Sequence, residues 1–350
     1  MRILITGGSG FIAGHLAERL AAAGHELTLF DLVEPPADRR RHRFVRGDVR
    51  DPAAVDQALE GCDAVFHLAA AHHDFGLATE TYFAVNEGAA RVLCAAMSAR
   101  GIANVVFYSS VAVYGGAPEP HVEDGPTDPE GPYGASKLAG EKVFAAWAAE
   151  APGRRALVIR PTVVFGRDHF ANMYSLIRQI ASGAYVRVGA GENVKSLVYV
   201  ENIVAATVYL WQRPDAPAFD VFNVVDKPDL TSAEIGDAIF AALGRRPLPV
   251  RLPLIGALAL AAPFDVASRL TGRNLPISRA RVRKLFAART CFEASKLAAA
   301  GFRSEVPLRE GIARMVRWYM TEGRHRTPVS HLPPAEVGGT LAATHRVAAG

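Results

Sequence analysis

The sequence predicts an α/β fold, a doubly wound parallel sheet with a smaller C-terminal substrate lobe. Three observations predict it. Short apolar runs alternate with longer helical stretches through the first half of the chain. Those runs are apolar throughout, as strands covered on both faces are. The first run also passes directly into a glycine-rich turn that opens a helix.

In order, Arg2-Ile3-Leu4-Ile5-Thr6 reads as the first strand and Phe11 to Ala23 as the first helix. Leu27 to Phe30, Ala64 to Leu68, Val105 to Tyr108 and Leu157 to Ile159 read as further buried strands. Pro52 to Glu60, Asn86 to Ala99 and Ser136 to Glu150 read as helices between them, the last two with apolar residues recurring at three and four. Such alternation implies right-handed crossovers and a parallel sheet. After Arg160 the rhythm loosens, and Val198 to Leu210 and Asp220 to Val225 read as returning α/β material. The expected organisation is a nucleotide-binding unit over 1–166, to which 195–230 returns. Residues 167–194 and 231–322 form the substrate lobe, and 323–350 a mobile tail rich in Pro, Gly, Ala and Thr.

Composition narrows the function classes. Of 350 residues, half are hydrophobic and 21% charged, with a net charge of +4, which is ordinary for a globular enzyme. The basic residues are scattered apart from Arg39-Arg40-Arg41-His42-Arg43, a solvated loop rather than a nucleic-acid surface. Cys62, Cys94 and Cys291 are odd in number and far apart, so free thiols in a reducing compartment are expected and no metal site. The first strand starts at Arg2, so no secretory leader is expected and the location reads as cytoplasmic. The longest apolar stretch, Leu252 to Phe264, falls short of the ~20 residues of a membrane span. It reads as a packed helix or pocket lining, with peripheral membrane contact as the lesser reading.

The turn Thr6-Gly7-Gly8-Ser9-Gly10-Phe11-Ile12-Ala13-Gly14 lies between strand and helix. Glycines there bring backbone N–H groups against a pyrophosphate, and the helix N-terminus adds positive charge. This is the Rossmann-type arrangement. Asp31 ends the second strand, where a carboxylate accepts from ribose hydroxyls and repels a 2′-phosphate, so NAD is favoured over NADP. The basic cluster at 39–43 keeps NADP open. Asp48, in Gly47-Asp48-Val49, either bonds an adenine amino group or ends its strand.

Tyr133 and Lys137 lie four apart at a helix start and so share one face. A phenol titrates near 10, and a neighbouring ammonium moves it towards a range useful for acid–base work. Ser109 and Ser110 follow a buried strand, at the carboxyl edge where open α/β sheets bind ligands. A serine hydroxyl there can donate to a substrate oxygen. His72-His73-Asp74 follow another strand end and read as pocket lining rather than a metal site.

These residues resemble the extended short-chain dehydrogenase/reductases. The likeness rests on Thr6 to Ile12, Gly47 to Asp51, Val65 to Ala70, Asn86, Ser109 to Gly115, Tyr133 to Lys137 and Arg160 to Gly166. It implies that Gly7, Gly10, Phe11 and Ile12 cradle the pyrophosphate, and that Asp48-Val49 and Leu68-Ala69-Ala70 line the adenosine side. It makes Ser110, Tyr133 and Lys137 the catalytic set, with Ser109 near the nicotinamide and Asn86 a structural amide. It also suggests a homodimer through the helices holding Asn86 and Ser136. Two departures stand out. Ala13 occupies the place of the family's third glycine. Val163 stands where sugar-nucleotide epimerases usually carry an Asn for substrate phosphate. Arg160 to Gly166 and Leu197 to Asn202 look like the 3β-hydroxysteroid dehydrogenase branch, whereas Gly301 to Tyr319 looks like the sugar-nucleotide epimerase and dehydratase branch.

The expected function is therefore an NAD(P)-dependent epimerase or dehydratase acting on a nucleoside diphosphate sugar by reversible hydride transfer. The alternatives are a dehydrogenase of a secondary alcohol consuming NAD, and a non-catalytic NAD-binding protein. Arg187, Lys195, Arg281 and Arg283 are candidate contacts for a substrate diphosphate, with His72 beside the cofactor.

Overall fold

The computed structural model describes residues 1–72, 77–117, 119–247, 251–271, 290–326, 330–339 and 342–344. Seven strands form the central sheet: β1 (Arg2–Thr6), β2 (Glu26–Asp31), β3 (Arg43–Arg46), β4 (Ala64–His67), β5 (Asn104–Tyr108), β6 (Arg155–Pro161) and β7 (Phe219–Val224). All pairings are parallel and the order is β7-β6-β5-β4-β1-β2-β3. The order reverses at β1, which lies between β4 and β2. That reversal opens a crevice at the carboxyl edge, where such sheets bind ligands.

The unbroken apolar runs have a direct cause. Ile3 and Ile5 of β1 enter one buried cluster and Leu4 the other. Phe66 and Val65 of β4 divide in the same way, as do Val106 and Val105 of β5. Successive side chains point to opposite faces, and both faces are covered. One cover includes α1 (Phe11–Ala22), and the other includes α2 (Pro52–Ala58). Joining the second cover are α3, running over 79–100, and α4 (Pro132–Ala149).

Both later helices start earlier than periodicity suggests. In α3 a polar first turn, Thr79–Phe83, precedes a π segment, Ala84–Gly88, that carries Asn86. In α4 Pro132 opens the helix, a position where its missing N–H costs nothing. Tyr133 therefore lies inside the first turn rather than ahead of it.

Beyond β6 come α5 (Asn172–Ser182), α6 (Val200–Trp211), α7 (Ser232–Ala242), α8 (Leu254–Thr271), α9 (Ser295–Ala299) and α10 (Leu308–Thr321). Three two-stranded ladders link them: Val163–Phe165 with Leu197–Tyr199, Val194–Lys195 with Leu230–Thr231, and Arg187–Val188 with Arg251–Leu252. The last part of the chain, expected to be mobile, has anchored pieces. The Tyr174 hydroxyl donates to Gly323 O at 3.1 Å, and Arg50 donates to the carbonyls of Pro334 and Ala335 at 2.8 and 3.0 Å. Backbone carbonyls carry no residue signature, which is why composition missed these ties.

A buried polar clamp joins α6 to the segment ahead of α10. The Asn202 amide donates to both Asp226 oxygens at 2.9 Å and to Val306 O at 2.7 Å, and accepts from Val306 N at 2.9 Å. Burial pushes the Asp226 carboxyl up, against the pull of donors from Ser304, Tyr199 N–H and Asn202. Removing the amide takes one donor from a buried carboxylate, which keeps Ser304 and Tyr199 N–H, and leaves the buried Val306 N–H and C=O without this partner. Asn202→Ala is expected to cost about 3 kcal/mol, read as a lowered urea midpoint; an unchanged midpoint would show the clamp to be dispensable.

Candidate active site

The glycine turn is shaped by close approaches that admit no side chain. Gly7 has φ 68°, and a Cβ there would meet Ala69 N at 2.7 Å. The turn and the end of β4 thus lie in backbone contact, stitched by Leu68 N–H to Thr6 O at 3.1 Å and Ala69 N–H to the Thr6 hydroxyl at 3.3 Å. Gly10 caps α1 with no side chain over the first-turn N–H groups. This cradle fits a dinucleotide pyrophosphate. Asp31 accepts from Ser9 N–H at 3.0 Å and Val33 N–H at 3.3 Å, tying β2 to the turn.

A cleft of about 1290 Å³ opens here. Gly7, Gly10, Phe11, Asp31, Asp48, Val49, Leu68, Ala69, Ala70 and His72 all line it. Ile12 does not line it and packs against the core instead. Asp48 is buried and held by Arg50, whose Nη2 and Nε approach to 2.6 and 2.9 Å. Its carboxylate therefore serves an ion pair as well as the strand end.

Arg39 was not legible as a site residue. It reaches back over the turn and donates to Gly10 O at 2.9 Å, with its side chain largely buried. A Cβ on Gly14 would fall 2.0 Å from its guanidinium carbon. The glycine at 14 thus makes room for Arg39, while Ala13 is buried in the core. His169 stacks on Phe11 at 4.4 Å between ring centres and lines the same cleft. Its imidazole is pushed down to about 4 by burial.

The second half of the site lies at the carboxyl ends of β5 and β6. Ser110 caps the short turn Val111–Val113, accepting from Ala112 N–H at 3.1 Å. Gly134 sets the first turn of α4 against it, since a Cβ there would meet Ala112 O at 2.3 Å. Tyr133, next in the chain, is half-buried beside this contact. Lys137 is 2% exposed, with Nζ donating to Tyr108 O at 2.8 Å and lying 4.9 Å from the Phe107 ring centre. Burial pushes its ammonium down to about 7, opposed by Glu141. His67 is buried nearby against Phe107; burial and then Lys137 push it down to about 3, so it is neutral.

Ser109 does not face outward. Its hydroxyl donates to Glu141 at 2.5 Å, and Arg160 holds the same carboxylate at 2.6 and 2.9 Å. Glu141 follows Lys137 by four on one helix face, a spacing that could have flagged it. Asn86 bonds Ala71 N–H and C=O, each at 3.0 Å, and Ser136 at 2.9 Å, so it clamps the end of β4 to α4.

The substrate candidates are dispersed. The Arg187 guanidinium is paired with Asp237 of α7. Lys195 lies in a ladder strand opposite Leu230. Neither lines the cleft. Arg281, Arg283, His73 and Asp74 lie outside the described residues. Among the described residues no cluster of His, Cys, Asp or Glu could hold a metal ion.

Fold and site together define an extended short-chain dehydrogenase/reductase built to hold a nicotinamide dinucleotide. The chain belongs to the NAD dependent epimerase/dehydratase family, whose sequence model matches residues 3–224. It is 38% identical over 326 residues to N-acetyl-alpha-D-glucosaminyl-diphospho-ditrans,octacis-undecaprenol 4-epimerase of Escherichia coli O157:H7, covering 90% of this chain and 94% of that protein. It is 30% identical to UDP-glucose 4-epimerase of Lacticaseibacillus casei, over 70% of this chain and 82% of that one. Among solved structures, MoeE5 in complex with UDP-glucuronic acid and NAD superposes with a TM-score of 0.72 at 25% identity, over 91% of this chain and 99% of that one. The chain is therefore an enzyme of this family, which sets aside the reading as a non-catalytic binding protein.

Lys137 has a measurable consequence. Its folded value near 7 lies below the ordinary 10.5. Between these values the unfolded chain binds a proton that the folded chain does not, so stability rises with pH across the window. Below it the full cost of burying the ammonium is present. Lys137→Met is expected to raise the melting temperature of the free protein most below pH 7, with the gain shrinking towards pH 10. A gain that is flat or grows with pH would contradict the assignment.

Proposed function

We propose that this chain is an NAD-dependent sugar 4-epimerase whose substrate is a hexose joined through a diphosphate to a polyprenol carrier. One observation carries the reading: the 38% identity to a polyprenyl-diphosphate sugar 4-epimerase, spanning nearly the whole of both chains. Val163 supports it. This residue replaces the Asn expected of enzymes that grip a nucleotide-sugar phosphate, and its side chain is exposed. NAD rather than NADP is favoured by Asp31, whose carboxylate lines the cleft and would oppose a 2′-phosphate.

A dinucleotide held in the cleft would supply hydride acceptance and return at C4. The chain's own residues handle the proton. Tyr133 Oη takes the proton of the C4 hydroxyl as the C–H bond is broken, leaving a ketone. It returns that proton to the same oxygen when hydride re-enters from the opposite face, so the sugar is inverted with no net oxidation. Ser110 Oγ donates to the reacting oxygen. Lys137, fixed to Tyr108 O, lends positive charge to the phenolate and a donor to the cofactor ribose. Gly7, Gly10 and the Phe11 amide would bind the pyrophosphate.

The decisive experiment offers the purified enzyme N-acetylglucosaminyl diphosphate on a polyprenol and, separately, on uridine, with the C4 epimer quantified by chromatography. Conversion of the polyprenyl substrate is expected; conversion of the uridine compound alone would establish the nucleotide-sugar reading instead. Tyr133→Phe is expected to lower turnover by about 10³-fold, within the range for general acid–base catalysis, while cofactor binding, followed by fluorescence titration, stays near wild type. Wild-type turnover in the variant would remove Tyr133 from the mechanism.

A further inference from the structure

Helix α8 is apolar on the face it shows to solvent. Ile255 is 82% exposed, Leu260 64% and Phe264 39%, while Ala257 and Ala261 are buried. At about 100° per residue, Ile255, Ala259, Leu260, Pro263 and Phe264 fall on one continuous face. No charged residue occurs from Leu252 to Phe264. An amphipathic helix ordinarily turns its polar side outward, so this face calls for a cover.

The charge that flanks the helix in the sequence indicates what the cover is. Arg246 and Arg251, ahead of the helix, are exposed, whereas Arg245 donates to the Ala181 carbonyl. In the sequence, the stretch after the helix carries Arg273, Arg279, Arg281, Arg283, Lys284 and Arg289, and no Asp or Glu occurs from Val266 to Phe292. In the sequence this stretch carries one sign of charge only, which favours an anionic partner over a second copy of the same chain. An anionic lipid surface meets both features, with acyl boundary for the apolar face and headgroups for the cations. Among the described residues no helix is long and apolar enough to cross a membrane, so the helix would lie on the surface.

We infer that the outer face of α8 docks the enzyme on an anionic phospholipid bilayer. The inference rests on the polyprenyl-carrier reading for its purpose, since the carrier's hydrocarbon resides in such a bilayer. The surface argument itself uses only exposure and charge. Arg251 and Leu252 pair with the Arg187–Val188 strand immediately before the helix, so docking would hold this lobe at the membrane.

The test is sedimentation of the full chain with vesicles containing no polyprenyl substrate. One set is phosphatidylcholine alone and the other phosphatidylcholine mixed with phosphatidylglycerol. Binding to the anionic vesicles, weakened by salt, is expected. The triple variant Ile255→Gln, Leu260→Gln, Phe264→Ser should bind at least about tenfold more weakly, because partition scales with the apolar area inserted. Its turnover on detergent-dispersed substrate should stay at the wild-type level, showing that it folds. Wild-type protein left in the supernatant, or a variant that binds as well as wild type, would overturn the inference. A wild-type dimer that the variant converts to monomer, without vesicle binding, would assign the face to a second copy. Vesicle binding with no turnover of the polyprenyl substrate would instead sink the carrier reading and leave the docking surface standing.

Discussion

The buried pair of Glu141 and Arg160 is the interaction on which the reactive half of the molecule depends. Arg160 ends the run of β6, and Glu141 lies one turn beyond Lys137 in α4. Through them α4 is bound to Ser109 at the end of β5, and through Tyr114 to Asn223 on β7, with hydrogen bonds of 2.8 Å on either side of the tyrosine hydroxyl. Burying two charges is expensive unless every remaining donor and acceptor is met. Here Ser109, Tyr114 and the Glu123 carbonyl meet several of them. The pair is therefore better understood as fixing one geometry than as a source of stability. It locks the helix bearing Tyr133 and Lys137 against three strand ends at once.

Close backbone contact shapes both halves of the site. Gly7 lies against Ala69, and Gly134 against Ala112, at separations that exclude any side chain. These contacts place the glycine turn and the first turn of α4 on the same edge of the sheet. Asn86 joins the two halves, since its single amide holds both Ala71 at the end of β4 and Ser136 in α4. A cofactor seated in the first half is thereby referred to the residues of the second.

How much of this was legible in the sequence follows from how local each feature is. The sheet was readable because strands buried on both faces must be apolar at every position. The glycine turn and the Tyr133–Lys137 spacing were readable because each is a short segment whose function is set within itself. Helix starts were missed where a polar turn, as at Thr79, or a proline, as at Pro132, precedes the apolar pattern. The partners of Arg39 and Arg187 were hidden for a different reason. Arg39 read as part of a solvated loop and Arg187 as a candidate diphosphate contact, yet one folds over Gly10 from 29 residues away and the other pairs with Asp237 from 50. Partners that distant leave no trace in spacing. Ser109 and Ser110 were distinguishable only by family likeness, and the structure gives the physical difference: one hydroxyl is committed to Glu141, the other caps an edge turn.

Lys137 shows why such a site is retained although it works against folding. Its ammonium is surrounded by Phe107, the Tyr108 carbonyl and a neutral His67, and burial alone brings it near neutrality. A residue of the same length without charge would fit this space at less cost. What it could not do is carry a positive charge one helical turn from Tyr133, the charge on which the proposed proton transfer relies. The cost is borne by the fold as a whole, through two packed layers on the sheet. In that sense the double burial of the sheet, first visible as uninterrupted apolar strands, is what permits a strained cation at its edge.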